Sequence, residues 1–396
     1  MEVKKIVLVA LLCVMVSFTL IACGGRSAGN QATQQEFLES WVLSANLEAK
    51  ETPDELYKAA LEEDILTIYS VTTRLFDTKK YFETAYPGLT VEIKDIRSKD
   101  AIKMIRTNYD TNSFDCDMLI CSDSAGNLYN ELIEPGLILP YIPWDIEPRI
   151  KSDHINTKLN FLDEVILFAY NSELYQQSPI SNIWEITENK YKDKIVMASP
   201  LSSFTTYGFC ATVLKEEEKM LTAYKLYFGT EPVLPKDKSI GEYFWEQAAE
   251  NIVFVNTSDE VAEGIGTGDN SYALGIMLSS KLRLCELGYS FEPIYELEPF
   301  AAVYTPNSVM LAAGAKNINS AKLFIRFLLG ETDGTGEGYK PFCTSGTWSC
   351  RDDVADGNDI PLDEIDVIKY ANSFIDGNTE YLDQFFKSLL KENITQ

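Results

Sequence analysis

Hydroxyl groups and a guanidinium gather in one short segment that follows an apolar run. Ser70, Thr72, Thr73 and Arg74 come directly after the apolar residues 65–69 and before an amphipathic segment. This order predicts a strand, a turn and a helix, and the free N–H groups and dipole of a helix N-terminus favour anions. The segment therefore predicts an anion-binding turn. In the alternative reading, Thr73 only caps the helix and Arg74 faces solvent.

A second hydroxyl-rich turn has the same placement later in the chain. Ser202, Ser203, Thr205 and Thr206 follow the predicted strand 195–197 and precede a predicted helix. They could face the first turn across a cleft, or they could serve only as a capping segment. Arg97 and Arg351 are either extra ligand cations or surface ion-pair residues. Further candidate ligand contacts stand at two other turns: Asp123, Ser124, Ser271 and Tyr272.

The elements that must position these turns alternate between strand and helix. Residues 65–69, 89–93 and 117–120 read as strands with helices between them, and later apolar runs at 165–170, 195–197, 252–255 and 273–277 continue the order. Thr52, Pro53 and Glu55 form a capping box at the start of an earlier helix. This alternation predicts an α/β protein with mainly parallel sheets, and 396 residues exceed one core, so we expect two lobes.

Catalytic patterns are missing from the sequence. The single histidine, His154, lies in a polar stretch and is predicted to be a surface residue. No nucleophile elbow, zinc-protease, P-loop or dinucleotide motif occurs, so we predict no enzyme, no cofactor and no metal site. A hydrolase built on the same fold is the alternative. Among the cysteines, only Cys343 and Cys350 make a plausible local disulfide.

The N-terminus reads as an export signal. Lys4 and Lys5 precede the apolar residues 6–15, which favours a cleaved leader over a membrane-spanning anchor. Leu20, Ala22 and Cys23 resemble the lipobox of bacterial lipoproteins, which implies cleavage after residue 22 and lipidation of Cys23. Residues 23–50 are expected to be a tether that holds the protein on the outer face of the cytoplasmic membrane, on the cell surface or periplasmic side.

The formal charge of −26 argues against nucleic acid and anionic lipid surfaces as partners. It says little about the ligand, because salt screens the field over about 8 Å and local groups decide.

Four segments together resemble a known family. They are LTIYS at 66–70, FETAYPGLTVE at 82–92, FAYNSE at 168–173 and GAKN at 314–317. In this order and behind a lipobox, they are similar to the type II solute-binding proteins of ABC importers, in the ferric-iron-type branch. The resemblance implies a monomer with two lobes joined by two hinge strands, which binds a small molecule and delivers it to an ABC permease. Lobe I would contain residues 51–171 and 302–396, with the C-terminal helices packed on it, and lobe II residues 172–301.

The ligand is a separate question. Ferric binders in this family commonly use two adjacent tyrosines, and this sequence has no such pair, although single tyrosines such as Tyr207 and Tyr272 stay open as ligands. Hydroxyls and arginine at helix N-termini suit a phosphate, phosphonate or carboxylate better. Ferric iron or an iron chelate is the alternative ligand, and a surface adhesin or sensor is the alternative of another class.

Overall fold

The computed structural model of the chain describes residues 28–123, 127–267 and 272–394, with side chains described between 36 and 390. The predicted leader 1–22, Cys23, Ser124 and Ser271 lie outside the described residues. The strands are β1 (Leu66–Ser70), β2 (Val91–Asp95), β3 (Met118–Ser122), β4 (Ile138–Leu139), β5 (Leu159–Asp163), β6 (Val165–Asn171), β7 (Ile195–Ala198), β8 (Ile252–Val255), β9 (Leu274–Leu278), β10 (Phe291–Pro293), β11 (Ala302–Tyr304), β12 (Asn307–Ala312), β13 (Trp348–Ser349) and β14 (Val367–Lys369).

Helices connect most of these strands, as the alternating pattern predicts. They are α1 (Ala28–Ala45), α2 (Pro53–Ala60), α3 (Leu75–Ala85), α4 (Ser98–Thr111), α5 (Phe204–Lys215), α6 (Glu217–Phe228), α7 (Ile240–Ala249), α8 (Ser258–Gly266), α9 (Ile318–Leu328), α10 (Asn372–Gly377) and α11 (Thr379–Ile394). The predicted capping box is present at α2, where the Thr52 side chain accepts from the Glu55 N–H. Within the described ranges, no helix is both long and apolar enough to span a bilayer.

Two sheets give the two lobes that the sequence predicts. The first has the order β13-β5-β12-β3-β1-β2 with β4 beside β12, and the second has the order β14-β11-β6-β9-β7-β8 with β10 beside β6. Strands linked through helices pair in parallel, as β1 does with β2 and β7 with β8. Strands next to the lobe crossings pair antiparallel, as β12 does with β3 and β6 with β9. Both sheets are therefore mixed rather than mainly parallel.

Over the described residues, the chain passes between the lobes three times. It leaves the first sheet at Glu164, between β5 and β6, and returns through Thr305, between β11 and β12. The expected first crossing near residues 169–171 therefore lies too late, because the whole of β6 belongs to the second sheet. A buried apolar strand looks the same in either sheet, so its composition could not locate the crossing. The third passage runs from β13 to β14 and was not expected.

The C-terminal helices pack on the second lobe, and their expected place on lobe I is wrong. Leu382, Phe385, Phe386 and Leu389 of α11 are buried in the second lobe's core, and the rings of Phe386 and Tyr207 have centroids 5.0 Å apart. The apolar spacing i, i+3, i+4, i+7 predicts a packed helix face. It carries no information about which of two cores receives that face.

The N-terminal helix replaces much of the expected tether. α1 packs Leu38, Trp41 and Ala45 into the first lobe's core, and Trp41 Nε1 donates to the Ala315 carbonyl at 3.0 Å. The expected tether over residues 23–50 is therefore wrong where α1 packs on the first lobe, from Leu38 to Ala45. The small polar residues stop near residue 34, and the apolar residues after them have helical spacing.

Cys343 and Cys350, the one pair for which the sequence left a local disulfide open, are not bridged, and both thiols are free. Cys350 is buried, and this burial raises the pKa of its thiol to about 12. The residue serves as a small apolar core group.

Candidate ligand-binding cleft

A cleft of about 760 Å³ lies between the two lobes. The first lobe lines it with residues 71–74 after β1, 95–100 around the end of β2, and Ser122 at the end of β3. The second lobe contributes 201–205 after β7, 256–259 after β8 and a group at 278–283 after β9. All of these segments stand at carboxyl ends of strands, where open α/β sheets bind ligands.

Four helices begin at this cleft. α3 and α4 start from the first lobe, and α5 and α8 start from the second. Ser203 caps α5 by accepting from the Thr206 N–H at 3.2 Å, and the Thr257 side chain accepts from the Glu260 N–H. The first N–H groups of a helix have no partner within the helix, and the helix dipole adds positive potential there. The helix N-termini in both walls therefore favour a negatively charged ligand in the cleft.

Arg74 is held at the point where the chain first crosses between the lobes. Its Nη2 donates to a Glu164 carboxylate oxygen at 2.8 Å, and its guanidinium lies 4.8 Å from the centroid of the Phe342 ring. The other Glu164 oxygen accepts from Asn307 Nδ2 at 2.6 Å. This network fixes the orientation of Arg74 and ties it to both crossing segments.

Two cations of the second lobe were missed by the sequence reasoning. Lys281 Nζ lies 2.6 Å from an Asp259 carboxylate oxygen, and Arg283 Nη1 donates to the Ser280 carbonyl at 2.5 Å. Burial lowers the pKa of both groups, and the charge of Arg74 lowers the pKa of Arg283 further. The available signal was a Lys-x-Arg sequence two serines after the apolar run of β9.

The walls of the cleft also touch each other. Lys99, at the start of α4 in the first lobe, has its ammonium 5.7 Å from the ring centroid of Phe204 in the second lobe. Hydroxyl groups from both predicted turns therefore face one shared space. The predicted residues that line it are Thr72, Thr73, Arg74, Ser202, Ser203 and Thr205, together with Arg97.

The other predicted contacts within the described residues lie behind or away from this lining. Ser70 is buried, and its Oγ accepts from the Thr72 N–H at 3.1 Å. Thr206 is buried beneath Ser203, to whose Oγ it donates at 3.1 Å. Asp123 accepts from the Leu128 N–H at 3.2 Å and pairs with Lys158. Tyr272 packs beside the second lobe's core.

Three residues that the sequence left open have structural contacts. Arg351 is fully buried, where it binds the Asp353 carboxylate and donates to the Leu329 carbonyl at 2.9 Å. Tyr207 is buried and donates to an Asp383 oxygen at 3.2 Å. His154 is buried between Asp153 and Asp163, so its prediction as a surface residue is wrong. The residues around His154 are polar, which predicted exposure, but the His154 side chain itself turns inward.

The lining offers hydroxyls, cations and carboxylates rather than a set of metal ligands. No tyrosine or histidine belongs to the cleft lining among the described residues. In the same part of the chain, no three His, Cys, Asp or Glu side chains are grouped to hold a metal ion.

Comparison with known proteins agrees with this architecture. The family described as "Bacterial extracellular solute-binding protein" matches residues 71–333. That span exceeds half of the chain, and the chain belongs to this family. It has the two-lobe type II fold of exported binding proteins. No curated protein matches the chain.

Solved structures share the fold at low identity. The substrate-binding protein of an ABC transporter from Agrobacterium tumefaciens has a TM-score of 0.63 at 12% identity, covering 83% of this chain and 95% of its own. Iron-bound HitA from Pseudomonas aeruginosa has a TM-score of 0.62 at 14% identity, covering 82% and 99%. AfuA from Actinobacillus pleuropneumoniae, with fructose-6-phosphate bound, has a TM-score of 0.61 at 19% identity, covering 83% and 98%.

Proposed function

We propose that the solute which this protein captures for its ABC transporter is a small polar anion bearing a phosphate, phosphonate or carboxylate group. The observation that carries this proposal is the convergence of four helix N-termini with Arg74, Lys281 and Arg283 on one cleft. Within a chain of charge −26, the described part of the lining holds five cations and four carboxylates, so the cleft is locally positive. Closure of the lobes would surround the anion and present the closed form to the permease.

The hydroxyl groups of the two turns complete the proposed site. Thr72 and Thr73 from the first lobe and Ser202, Ser203 and Thr205 from the second would donate to the anion or to its polar body. Ser70 and Thr206 would act from behind, since each binds a residue of its own turn. The bound fructose-6-phosphate of AfuA supports a phosphorylated ligand on this fold.

Ferric iron is the second candidate, because iron-bound HitA has the same fold. Fe³⁺ prefers hard anionic oxygen ligands, and the described lining supplies carboxylates but no phenol. Two of its four carboxylates, Glu164 and Asp259, are already paired with Arg74 and Lys281, which leaves Asp95 and Asp100. An anion therefore fits the cleft better than a bare ferric ion.

A ligand panel tests the proposal on the purified protein. Phosphorylated sugars, phosphonates, carboxylates, polyamines and ferric citrate are screened by thermal shift, and hits are measured by calorimetry. We expect saturable stabilisation by members of the first three groups. A response confined to ferric citrate or to polyamines contradicts the proposal. Sustained product formation from a phosphate ester would favour the hydrolase alternative, and binding to a host surface without any small ligand would favour the adhesin.

We also propose that the protein is a monomer anchored through a lipid on Cys23 to the outer face of the cytoplasmic membrane. The support is the order Leu20, Ala22, Cys23 behind the apolar run and the extracellular family to which the chain belongs. Two acyl chains hold a protein on a bilayer where one is marginal. Cys23→Ser should move the protein from the membrane fraction to the soluble fraction and abolish incorporation of labelled palmitate. Membrane retention of this variant contradicts the anchor.

A further inference from the structure

Arg283 is a cleft cation that lacks a carboxylate partner. It lines the cleft from the second lobe and donates to the Ser280 carbonyl. The neighbouring Lys281 pairs with Asp259, and Arg74 pairs with Glu164, but no ion pair of the described residues includes Arg283. The carboxylates of Asp259 and Glu164 raise the pKa of Arg283 from beyond ion-pair distance, but burial outweighs them. This half-buried guanidinium has therefore lost hydration without gaining a direct charge partner.

Arg283 and Arg74 reach the same space from opposite lobes. Arg74 follows β1 in the first sheet, and Arg283 follows β9 in the second. Both side chains line the same cleft, and the positive charge of Arg74 lowers the pKa of Arg283. Three cations stand near the first crossing between the lobes: Arg74, Lys281 and Arg283. They face only two carboxylates, Glu164 and Asp259, so one positive charge is uncompensated.

Like charges on opposite lobes oppose closure. Their repulsion rises as the separation and the surrounding water decrease. An anion between two guanidiniums reverses the sign of that interaction and can accept paired hydrogen bonds from each. A phosphoryl or phosphonate group offers three acceptor oxygens and up to two negative charges at neutral pH, whereas a carboxylate or a sulfate ester carries one.

We propose that Arg74 and Arg283 form a clamp between the lobes for a doubly charged phosphoryl or phosphonate group, and that the charge of this group drives closure. The inference rests on the proposed anion-binding function and narrows the ligand class. It makes Arg283 a specificity-determining residue that favours dianions over monoanions of the same shape. It also makes closure in the absence of ligand unfavourable.

Two probes of equal shape and different charge test the specificity. Methyl phosphate is a dianion at pH 8 and largely a monoanion at pH 5, because its second pKa is near 6, whereas methyl sulfate is a monoanion throughout. We expect the wild-type protein to bind methyl phosphate at least about tenfold more tightly than methyl sulfate at pH 8, with the difference lost at pH 5. Arg283→Gln should remove the preference at pH 8, and Arg283→Lys should keep part of it.

The outcomes separate this inference from the proposed function. Equal binding of both probes at pH 8 overturns the dianion clamp and leaves an anion-binding cleft. Failure of both probes to bind overturns the clamp, while the proposed function is decided by the ligand panel, which also contains carboxylates and larger phosphorylated sugars. A preference that survives in a folded Arg283→Gln protein assigns the charge selection to other groups and overturns the role of Arg283. Arg149→Gln is the matched control, because Arg149 is more than half exposed and lies outside the cleft lining.

Closure itself can be measured without any ligand. Small-angle scattering of ligand-free protein should give a smaller radius of gyration for Arg283→Gln than for the wild type, because removing one charge weakens the repulsion. Arg283→Lys and Arg149→Gln should keep the wild-type value. An unchanged radius in Arg283→Gln, with a melting profile like that of the wild type, overturns the charge control of closure.

Discussion

His154 Nε2 lies 2.8 Å from a carboxylate oxygen of Asp163, the residue that directly precedes the first crossing between the lobes. The other Asp163 oxygen accepts from the Tyr304 hydroxyl at 2.6 Å, and Tyr304 ends the strand before the second crossing. On its other side, His154 Nδ1 lies 2.8 Å from Asp153. The only histidine of the chain is therefore linked through Asp163 to both hinge segments.

This arrangement predicts a pH-dependent stability. Burial lowers the pKa of His154, but its contacts with Asp163 and Asp153 outweigh this effect and raise the pKa above its ordinary value. The contribution of the charged imidazole is therefore complete below the unfolded value of about 6.5 and is lost as pH rises through the higher folded value. Urea unfolding should show that His154→Gln costs about 1–3 kcal/mol at pH 6 and less at pH 9. Parallel pH profiles for variant and wild type contradict this role.

Arg74→Ala should weaken ligand binding more than tenfold, since a charge-assisted contact is worth about 1.5–3 kcal/mol. Calorimetry with the best anion from the ligand panel measures the change. Because the variant leaves Glu164 unpaired beside the anion, the double variant Arg74→Ala with Glu164→Gln separates lost attraction from new repulsion. Arg149→Ala is the exposed control. Unchanged affinity in folded Arg74→Ala removes this residue from the site.

Much of the cleft could be predicted because strand, turn and helix order is a local property. The hydroxyl turns after β1 and β7 were found in this way, and the structure places Thr72 and Ser203 in one cleft. Tyr272 was a poor choice for a physical reason: it precedes β9, at the strand's amino end, whereas the cleft gathers carboxyl ends. The same rule applied to the other end of β9 leads to Lys281 and Arg283. The charge partner of Lys281, Asp259, follows a different strand and could not be predicted.

The GAKN segment that carries the family resemblance has a structural role in the first lobe. Asp117 accepts from the backbone N–H groups of Lys316 and Asn317 at 2.9 and 3.1 Å, and from the Thr67 N–H at 2.9 Å. Gly314 has φ +84, and a Cβ there would meet the Phe114 ring at 2.3 Å. The sequence showed the segment, but its partner Asp117 is about 200 positions away.

Asp117→Ala should destabilise the protein by at least about 3 kcal/mol, because it leaves several buried or half-buried N–H groups without an acceptor. Chemical unfolding checks the size of the effect. Asp352→Ala removes an exposed carboxylate 3.6 Å from Lys151 and should change the unfolding free energy by less than about 1 kcal/mol. A similar small effect at Asp117 contradicts its role as the anchor of this segment.

Phe386→Ala tests the docking of α11 on the second lobe. The side chain is fully buried against Tyr207, and replacing a buried phenylalanine by alanine costs about 3–5 kcal/mol. Thermal unfolding should show a large fall in the melting temperature. Leu226→Ala removes a side chain that is 67% exposed and should shift stability by no more than about 0.5 kcal/mol. A wild-type melting curve for Phe386→Ala contradicts the packing.

The third passage of the chain, from β13 to β14, affects how the protein is made. The first sheet needs β12 and β13, and the second needs β14, so neither lobe has all of its strands until most of the polypeptide has left the ribosome. A nascent chain in this order carries unfinished sheets with open edges. Late completion of both sheets is compatible with a polypeptide that is translocated across the membrane before it folds.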